Sequence, residues 1–140
     1  MIKLSKKWSY ALKAVIYIAK NSSPHLTKEG VGGGLVNITE ISDSEKISLS
    51  MLRRIISELE KWWIIETIKW RNWWIKLLKK IHQISIFDIL NSIWEELWIT
   101  DCTKWLDCDN LNNCSTEKLL WNLQKGFNTL LHIYTLDKIL

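Results

Sequence analysis

A mainly α-helical fold carrying one small β-hairpin is what this sequence predicts, and three observations predict it. Apolar residues recur at three- and four-residue spacing over several segments, the mark of helices that bury one face. Two short β-branched and aliphatic runs, 64–69 and 75–78, stand close together directly after a pair of short helical patterns. The only proline, Pro24, and four of the five glycines lie between residues 22 and 34, which concentrates the breakers in one loop. At 140 residues the chain has room for one small domain with a long accessory helix, and not for two independent cores.

In chain order, Tyr10, Ala11, Ala14, Val15, Ile18 and Ala19 share one face of a helix from about Trp8 to Lys20. Asn21-Ser22-Ser23-Pro24 ends it, and the stretch to Leu35 reads as an extended surface loop. Asn37 caps a short second helix, with Glu40 three positions on as its capping-box partner and Ile38 and Ile41 as its apolar face. That helix stops near Lys46. Ser48 caps a third helix, in which Leu52, Ile55, Ile56 and Leu59 form an i, i+3, i+4, i+7 core stripe. Ile64 to Lys69 and Ile75 to Leu78 then read as a two-stranded hairpin around Trp70-Arg71-Asn72-Trp73-Trp74. Ser85 and Asp88 cap a further helix carrying Ile86, Ile89, Leu90 and Ile93. A last long helix spans about Thr116 to Tyr134, with Leu119, Leu120, Leu123, Phe127, Leu130 and Leu131 on one side.

Two short helices joined by a tight turn and followed by a hairpin make a winged helix-turn-helix with a two-stranded β wing. The second helix of such a unit lies in the major groove of double-stranded DNA, whose width admits one helix, while the first braces it. Here Ser48, Ser50 and Met51 stand near the start of that helix, where base contact is usual, and Arg53 and Arg54 can donate to guanine edges or phosphates. Lys69 and Arg71 sit at the hairpin tip, and Lys6 and Lys7 add cations at the start of the first helix. A plain helical hairpin with a solvated basic face has the same helices, and the hairpin that follows decides for DNA. The charge agrees. Lys and Arg outnumber Asp and Glu by fifteen to seven over residues 1–80 and are outnumbered four to eight over residues 81–140, beneath a net charge of +4.

The remaining chemistry lies in Cys102, Cys108 and Cys114, spaced C-x5-C-x5-C in a polar segment. An odd number of cysteines with no export signal argues against a disulfide framework. Structural zinc draws its ligands from tighter C-x2-4-C pairs, whereas wide, even gaps suit a polynuclear iron–sulfur cluster. A reactive thiol is the competing reading, but Asp101, Asp107 and Asp109 disfavour free thiolates, against only Lys104 and Lys118. Buried apolar cysteines do not fit such polar surroundings. His25, His82 and His132 show no ligand spacing.

Residues 1–84 therefore read as the DNA-binding unit and 85–140 as a cluster-binding loop and dimerisation helix, forming one compact body with it. The last helix is expected to pair with a second copy, because the domain before it closes its own core and a two-half-site reader needs a two-fold. The chain is expected to be cytoplasmic, with no membrane segment, and no catalytic constellation is present, so it is not expected to be an enzyme. The alternatives left open are a zinc- or thiol-based winged-helix regulator without a cluster, and a small iron–sulfur carrier. The carrier leaves the basic helix-turn-helix without a purpose.

Leu4-Ser5-Lys6-Lys7-Trp8-Ser9-Tyr10-Ala11-Leu12, Ile47-Ser48-Leu49-Ser50-Met51-Leu52, the wing, the three cysteines and Thr135-Leu136 together resemble the iron–sulfur cluster regulator family of winged-helix transcriptional repressors (IscR/NsrR-like). The resemblance covers nearly the whole chain. It implies a homodimer reading a roughly palindromic promoter site, with a 2Fe-2S or 4Fe-4S cluster whose state sets DNA affinity. It matches Ser48, Ser50, Arg53 and Arg54 to the recognition helix and Lys69 and Arg71 to the wing. One base-reading position that is acidic in some members is Arg53 here. In one branch the fourth cluster ligand is a histidine three residues past the last cysteine, a place held here by Glu117; in another it is an acidic residue whose match is Ser9.

The tryptophans stand apart. The chain has ten, and no glycine occurs between Leu35 and Lys125 although that span must make several tight turns. Hairpin tips and helix ends need residues that tolerate positive φ, which glycine does freely and tryptophan only under strain. The resemblance places glycine at the positions of Trp8, Trp63, Trp70, Trp73 and Trp74. The reading that follows is that UGA codons decoded as glycine in the native organism stand here as tryptophan, with Trp121 the least certain. The alternative is a genuine aromatic wing that wedges into or stacks on DNA.

Overall fold

The computed structural model describes residues 5–21, 35–68, 73–93, 98–99 and 114–139. Among them, α1 (Lys6–Asn21), α2 (Ile38–Glu45) and α3 (Leu49–Lys61) pack around one core, with a small sheet at its side and α4 (Ile86–Ser92) beneath. A 3-10 turn at Ile81–Gln83 leads into α4, and the chain closes with α5 (Glu117–Ile133) and α6 (Leu136–Ile139). The predicted stripes are the core: Ala11, Ala14, Val15 and Ile18 from α1 meet Leu52, Ile55, Ile56 and Leu59 from α3, all fully buried. Each large side chain withdrawn this way contributes about 1.5–3 kcal/mol.

The sheet is three-stranded, where a two-stranded wing was expected. β2 (Ile65–Ile68) and β3 (Trp74–Leu77) form the wing, with Glu66 opposite Lys76 and Thr67 opposite Ile75. β1 (Val36–Asn37) adds to the free side of β3, pairing Val36 with Ile75 and Asn37 with Trp74 in the antiparallel order β1-β3-β2. A strand of two residues carries no periodicity, so nothing in the sequence announced it. Asn37 serves the strand and then caps α2: its Oδ1 accepts from the Thr39 backbone N–H at 2.8 Å and from the Thr39 hydroxyl at 2.6 Å. The cap is thus made with Thr39, where the spacing pointed to Glu40. Ser85 and Asp88 do form the expected reciprocal capping box of α4.

Two non-glycine residues have left-handed backbone, Lys46 and Trp63. Lys46 makes the turn of the helix-turn-helix at φ +56°, where the Ser42 carbonyl accepts from the N–H groups of Lys46 and Ile47, the latter at 3.2 Å. Trp63 is the C′ residue of α3. Its N–H donates to the Glu60 carbonyl at 3.1 Å and the Ile64 N–H donates to the Leu59 carbonyl at 3.2 Å, which is the Schellman pairing. That pairing requires φ > 0 at C′, and Trp63 supplies it at +60° with its ring 72% exposed. Trp8 has a different defect, an indole Nε1 that is buried without a hydrogen-bond partner.

The C-terminal end folds back on the domain. Ser85 bridges to Thr135, the Leu136 N–H donates to the Ile84 carbonyl, and the Ile86 N–H donates to the Tyr134 carbonyl. Phe87 of α4 stacks on His132 of α5 with ring centroids 4.0 Å apart. No helix among the described residues is long and apolar enough to cross a membrane.

Candidate DNA-binding face and cysteine segment

α3 separates its two faces cleanly. Leu52, Ile55, Ile56 and Leu59 are buried, while Ser48, Ser50, Arg53, Arg54 and Ser57 are exposed and Met51 is half-buried. Ser48 is the N-cap, its Oγ accepting from the Met51 N–H at 3.4 Å, which leaves the hydroxyl hydrogen for an outside acceptor. Arg53 lies over the ring of Trp73 at 5.9 Å from its centroid, tying the helix to the base of the wing. The wing is held to α3 from the other side as well, since the Thr67 hydroxyl donates to Glu60 Oε1 at 2.8 Å. Across the wing, Lys76 pairs with the directly opposed Glu66 at 3.1 Å. The tip residues Lys69 and Arg71 lie outside the described residues.

Lys6 is exposed at the start of α1. Lys7, expected on the DNA-facing side, is turned inward. Its Nζ sits 2.9 Å from Glu58 Oε2 and 3.0 Å from Oε1, and donates to the Ile93 carbonyl at 2.9 Å. The partners lie 51 and 86 residues away, so no spacing rule could have found them.

Of the cysteine set, Cys102 and Cys108 fall outside the described residues, and so does the turn between them. Cys114 stands just before α5, its Sγ 3.4 Å from the Thr116 hydroxyl. Hydrogen bonding from Thr116 holds its thiol below the ordinary range, against an opposing push from the Glu117 carboxylate. That push places Glu117, the first residue of α5, within electrostatic reach of Cys114, as a shared ligand set requires. A lowered thiol serves metal ligation and thiol oxidation alike. Among the described residues no group of three or more His, Cys, Asp and Glu is assembled that could hold a metal ion. His132 is committed elsewhere, with Nδ1–H donating to the Asn128 carbonyl at 2.7 Å.

Sequence reasoning missed Gln124. It is 2% exposed on α5, accepts from the Ile99 N–H at 2.8 Å through Oε1, and donates through Nε2 to Asn128 Oδ1 at 3.0 Å. A glutamine at an apolar helix position, one turn after Leu120, was the available signal.

Residues 4–140 match the Rrf2 family, described as iron-dependent transcriptional regulators. An HTH-type transcriptional regulator of Haemophilus influenzae is 28% identical over 138 residues, spanning 99% of this chain and 86% of that protein. The HTH-type transcriptional regulator NsrR of Bacillus licheniformis is 32% identical over 101 residues, 72% of this chain and 64% of its own. Among solved structures, T. potens IscR superposes with a TM-score of 0.72 at 20% identity, covering 99% of this chain and 85% of that one. CymR (YrzC), the global cysteine regulator of B. subtilis, does so with a TM-score of 0.74 at 18% identity, covering 99% and 96%. The exposed basic helix, the wing beside it and this match along almost the entire chain lead to one conclusion: the protein belongs to the Rrf2 family of winged-helix, DNA-binding transcriptional regulators, and it is not an enzyme.

Proposed function

We propose that the chain is a homodimeric repressor that reads a roughly palindromic promoter through α3 and the wing and carries an iron–sulfur cluster on Cys102, Cys108 and Cys114, with Glu117 as fourth ligand. The observation that carries the DNA-reading part is the face of α3, where Ser48, Ser50, Met51, Arg53 and Arg54 stand outside a helix whose other face is wholly buried. Lys6, Lys69 and Arg71 add phosphate contacts to that face, and Lys7 does not, its ammonium being engaged inside the domain.

The dimer rests on α5. Leu119, Leu123, Leu130 and Ile133 are each about half exposed, at 58%, 50%, 53% and 49%. With Gly126 they repeat at alternating intervals of four and three residues, the seam of a coiled coil. A Cβ added at Gly126 would meet no atom within 4 Å. A mid-helix glycine costs about 1 kcal/mol relative to alanine, and close approach of a second α5 gives it a purpose. Two copies joined there present two recognition helices to one site.

For the cluster, the donor set fits: three thiols at wide spacing, with a carboxylate in electrostatic reach of the last of them. A bound cluster supplies a redox- and supply-sensitive charge at the start of α5. The second reading is a thiol-based regulator, favoured by the lowered Cys114 thiol and by the fold shared with CymR. Anaerobic reconstitution followed by iron, sulfide and visible-absorption analysis separates the two. Wild-type protein is expected to bind iron and sulfide, and each of Cys102→Ala, Cys108→Ala and Cys114→Ala to lose them with its fold intact. Unchanged iron and sulfide in all three variants would refute the ligand assignment, and none in the wild type would leave the thiol reading.

A further inference from the structure

α3 carries two carboxylates behind its arginines, and neither is idle. Glu60 is held by the Thr67 hydroxyl on the wing. Glu58 is held by Lys7, whose ammonium has three hydrogens and three oxygens around it: both Glu58 oxygens and the carbonyl of Ile93. The pair is 29% and 23% exposed at its side chains, so water screens it less than a fully exposed pair. Ile93 is the C-cap residue of α4, and its carbonyl belongs to the set that a helix end leaves without an internal partner. From Ile93 the chain runs on toward the three cysteines.

Arg54 stands one turn before Glu58 on the same helix, exposed, with no ion pair among the described residues. Residues four apart on a helix are neighbours, so a Glu58 carboxylate released by Lys7 has Arg54 as its nearest cation on α3. A carboxylate so released neutralises Arg54 and repels phosphate. We propose that Lys7 is a positioning residue that keeps Glu58 away from Arg54, and that the Ile93 carbonyl sets its hold, coupling the entry of the cysteine segment to DNA affinity. When the carbonyl shifts, Lys7 loses one of its anchors and Glu58 turns toward Arg54. The coupling rests on the DNA-binding reading above and adds to it a path by which the cysteine segment speaks to the recognition helix.

The test uses full-length protein and duplexes selected from a random pool by the wild type, with affinity read by fluorescence anisotropy. Lys7→Met is expected to weaken binding by roughly threefold to tenfold, the scale of compromising one basic contact. Lys7→Met/Glu58→Gln is expected to restore it, because the freed carboxylate is gone. Lys7→Met/Glu60→Gln has the same net charge and is expected not to restore it, because Glu60 is held by Thr67. Lys7→Arg, which keeps the cation, is expected to bind as wild type and serves if Lys7→Met folds poorly. Alkylating the cysteines with N-ethylmaleimide should change wild-type affinity and leave the Lys7→Met/Glu58→Gln protein unmoved. Failure of the wild type to select any duplex overturns both the DNA-binding reading and the coupling. Wild-type binding with an indifferent Lys7→Met, a Glu58 double variant as weak as the single, or rescue by Glu60→Gln overturns the positioning role alone. A wild type indifferent to alkylation, or a Glu58 double variant that still responds, overturns the link to the cysteine segment.

Discussion

The two ends of this molecule solve opposite problems. In the helix-turn-helix, every large apolar residue of the α3 stripe is buried and the outward face is polar and basic, so the unit is closed in itself and offers charge. In α5, Gln124 and Leu131 are the buried positions, while Leu119, Leu123, Leu130 and Ile133 face outward. Its first turn lies beside an acid-flanked cysteine segment. A helix with a closed inner face is built to meet a polyanion, and a helix with apolar residues on both sides is built to meet protein on both sides. The difference gives each end its own kind of failure, and the substitutions below are chosen to produce one without the other.

The largest effect belongs to the basic end. Arg53→Ala/Arg54→Ala is expected to lower DNA affinity by about 1–3 kcal/mol for each guanidinium that reads a base edge, and to reduce the salt dependence of binding by roughly one for each phosphate released. Binding isotherms at several salt concentrations measure both. Because neither guanidinium supports the core, thermal stability should hold within about 0.5 kcal/mol. Affinity that is flat in salt and indifferent to the pair would show that α3 does not carry DNA recognition. At the other end, Leu123→Glu places a charge in the middle of the α5 seam. Analytical ultracentrifugation should find it monomeric, with wild-type helix content and DNA affinity weakened on the order of tenfold through loss of the second half-site. A monomeric variant that binds DNA as tightly as wild type would break the argument that the two ends work together.

Much of this division was legible in the sequence, and the parts that were not share a cause. The α3 stripe could be read because burial on one face and charge on the other leave a periodic trace. The face of α5 could not be resolved the same way: Leu119, Leu120, Leu123, Phe127, Leu130 and Leu131 look alike as letters. Yet the fold turns Leu120, Phe127 and Leu131 toward the domain and the other three outward. Periodicity reports that a residue avoids water and is silent on which neighbour it meets. The same limit hid β1, whose two residues pair with β3 across more than thirty positions of chain. It also hid the inward turn of Lys7, which as a letter is one more cation in a basic half. The Ser85–Asp88 box, by contrast, is local in sequence and in space, and it was readable in full.

The smallest expected effect concerns the one place where the basic end is at odds with its own sequence. At Trp63 the Schellman hydrogen bonds that end α3 need left-handed backbone, and an L-residue there costs about 1–2 kcal/mol that glycine does not. The ring recovers little of this, being largely in water. Trp63→Gly is therefore expected to stabilise the domain by about 1 kcal/mol, a gain trimmed by the greater freedom of glycine in the unfolded chain. Urea unfolding of the two proteins measures it, and a clearly less stable Trp63→Gly protein would mean that the indole makes contacts worth more than the strain. Trp8→Gly carries no such clean expectation. It removes an unpaired buried indole N–H, worth about 1–3 kcal/mol, but also a packed ring and a helical side chain. The contrast makes Trp63 the informative position for the reading that UGA codons lie behind these tryptophans. In protein isolated from the native organism, that reading expects a mass corresponding to glycine at residue 63, and at Trp70, Trp73 and Trp74 of the wing. UGG codons or intact tryptophan at those four places would dismiss it, and the strain at Trp63 would then be a cost the native protein bears at the junction between its recognition helix and its wing.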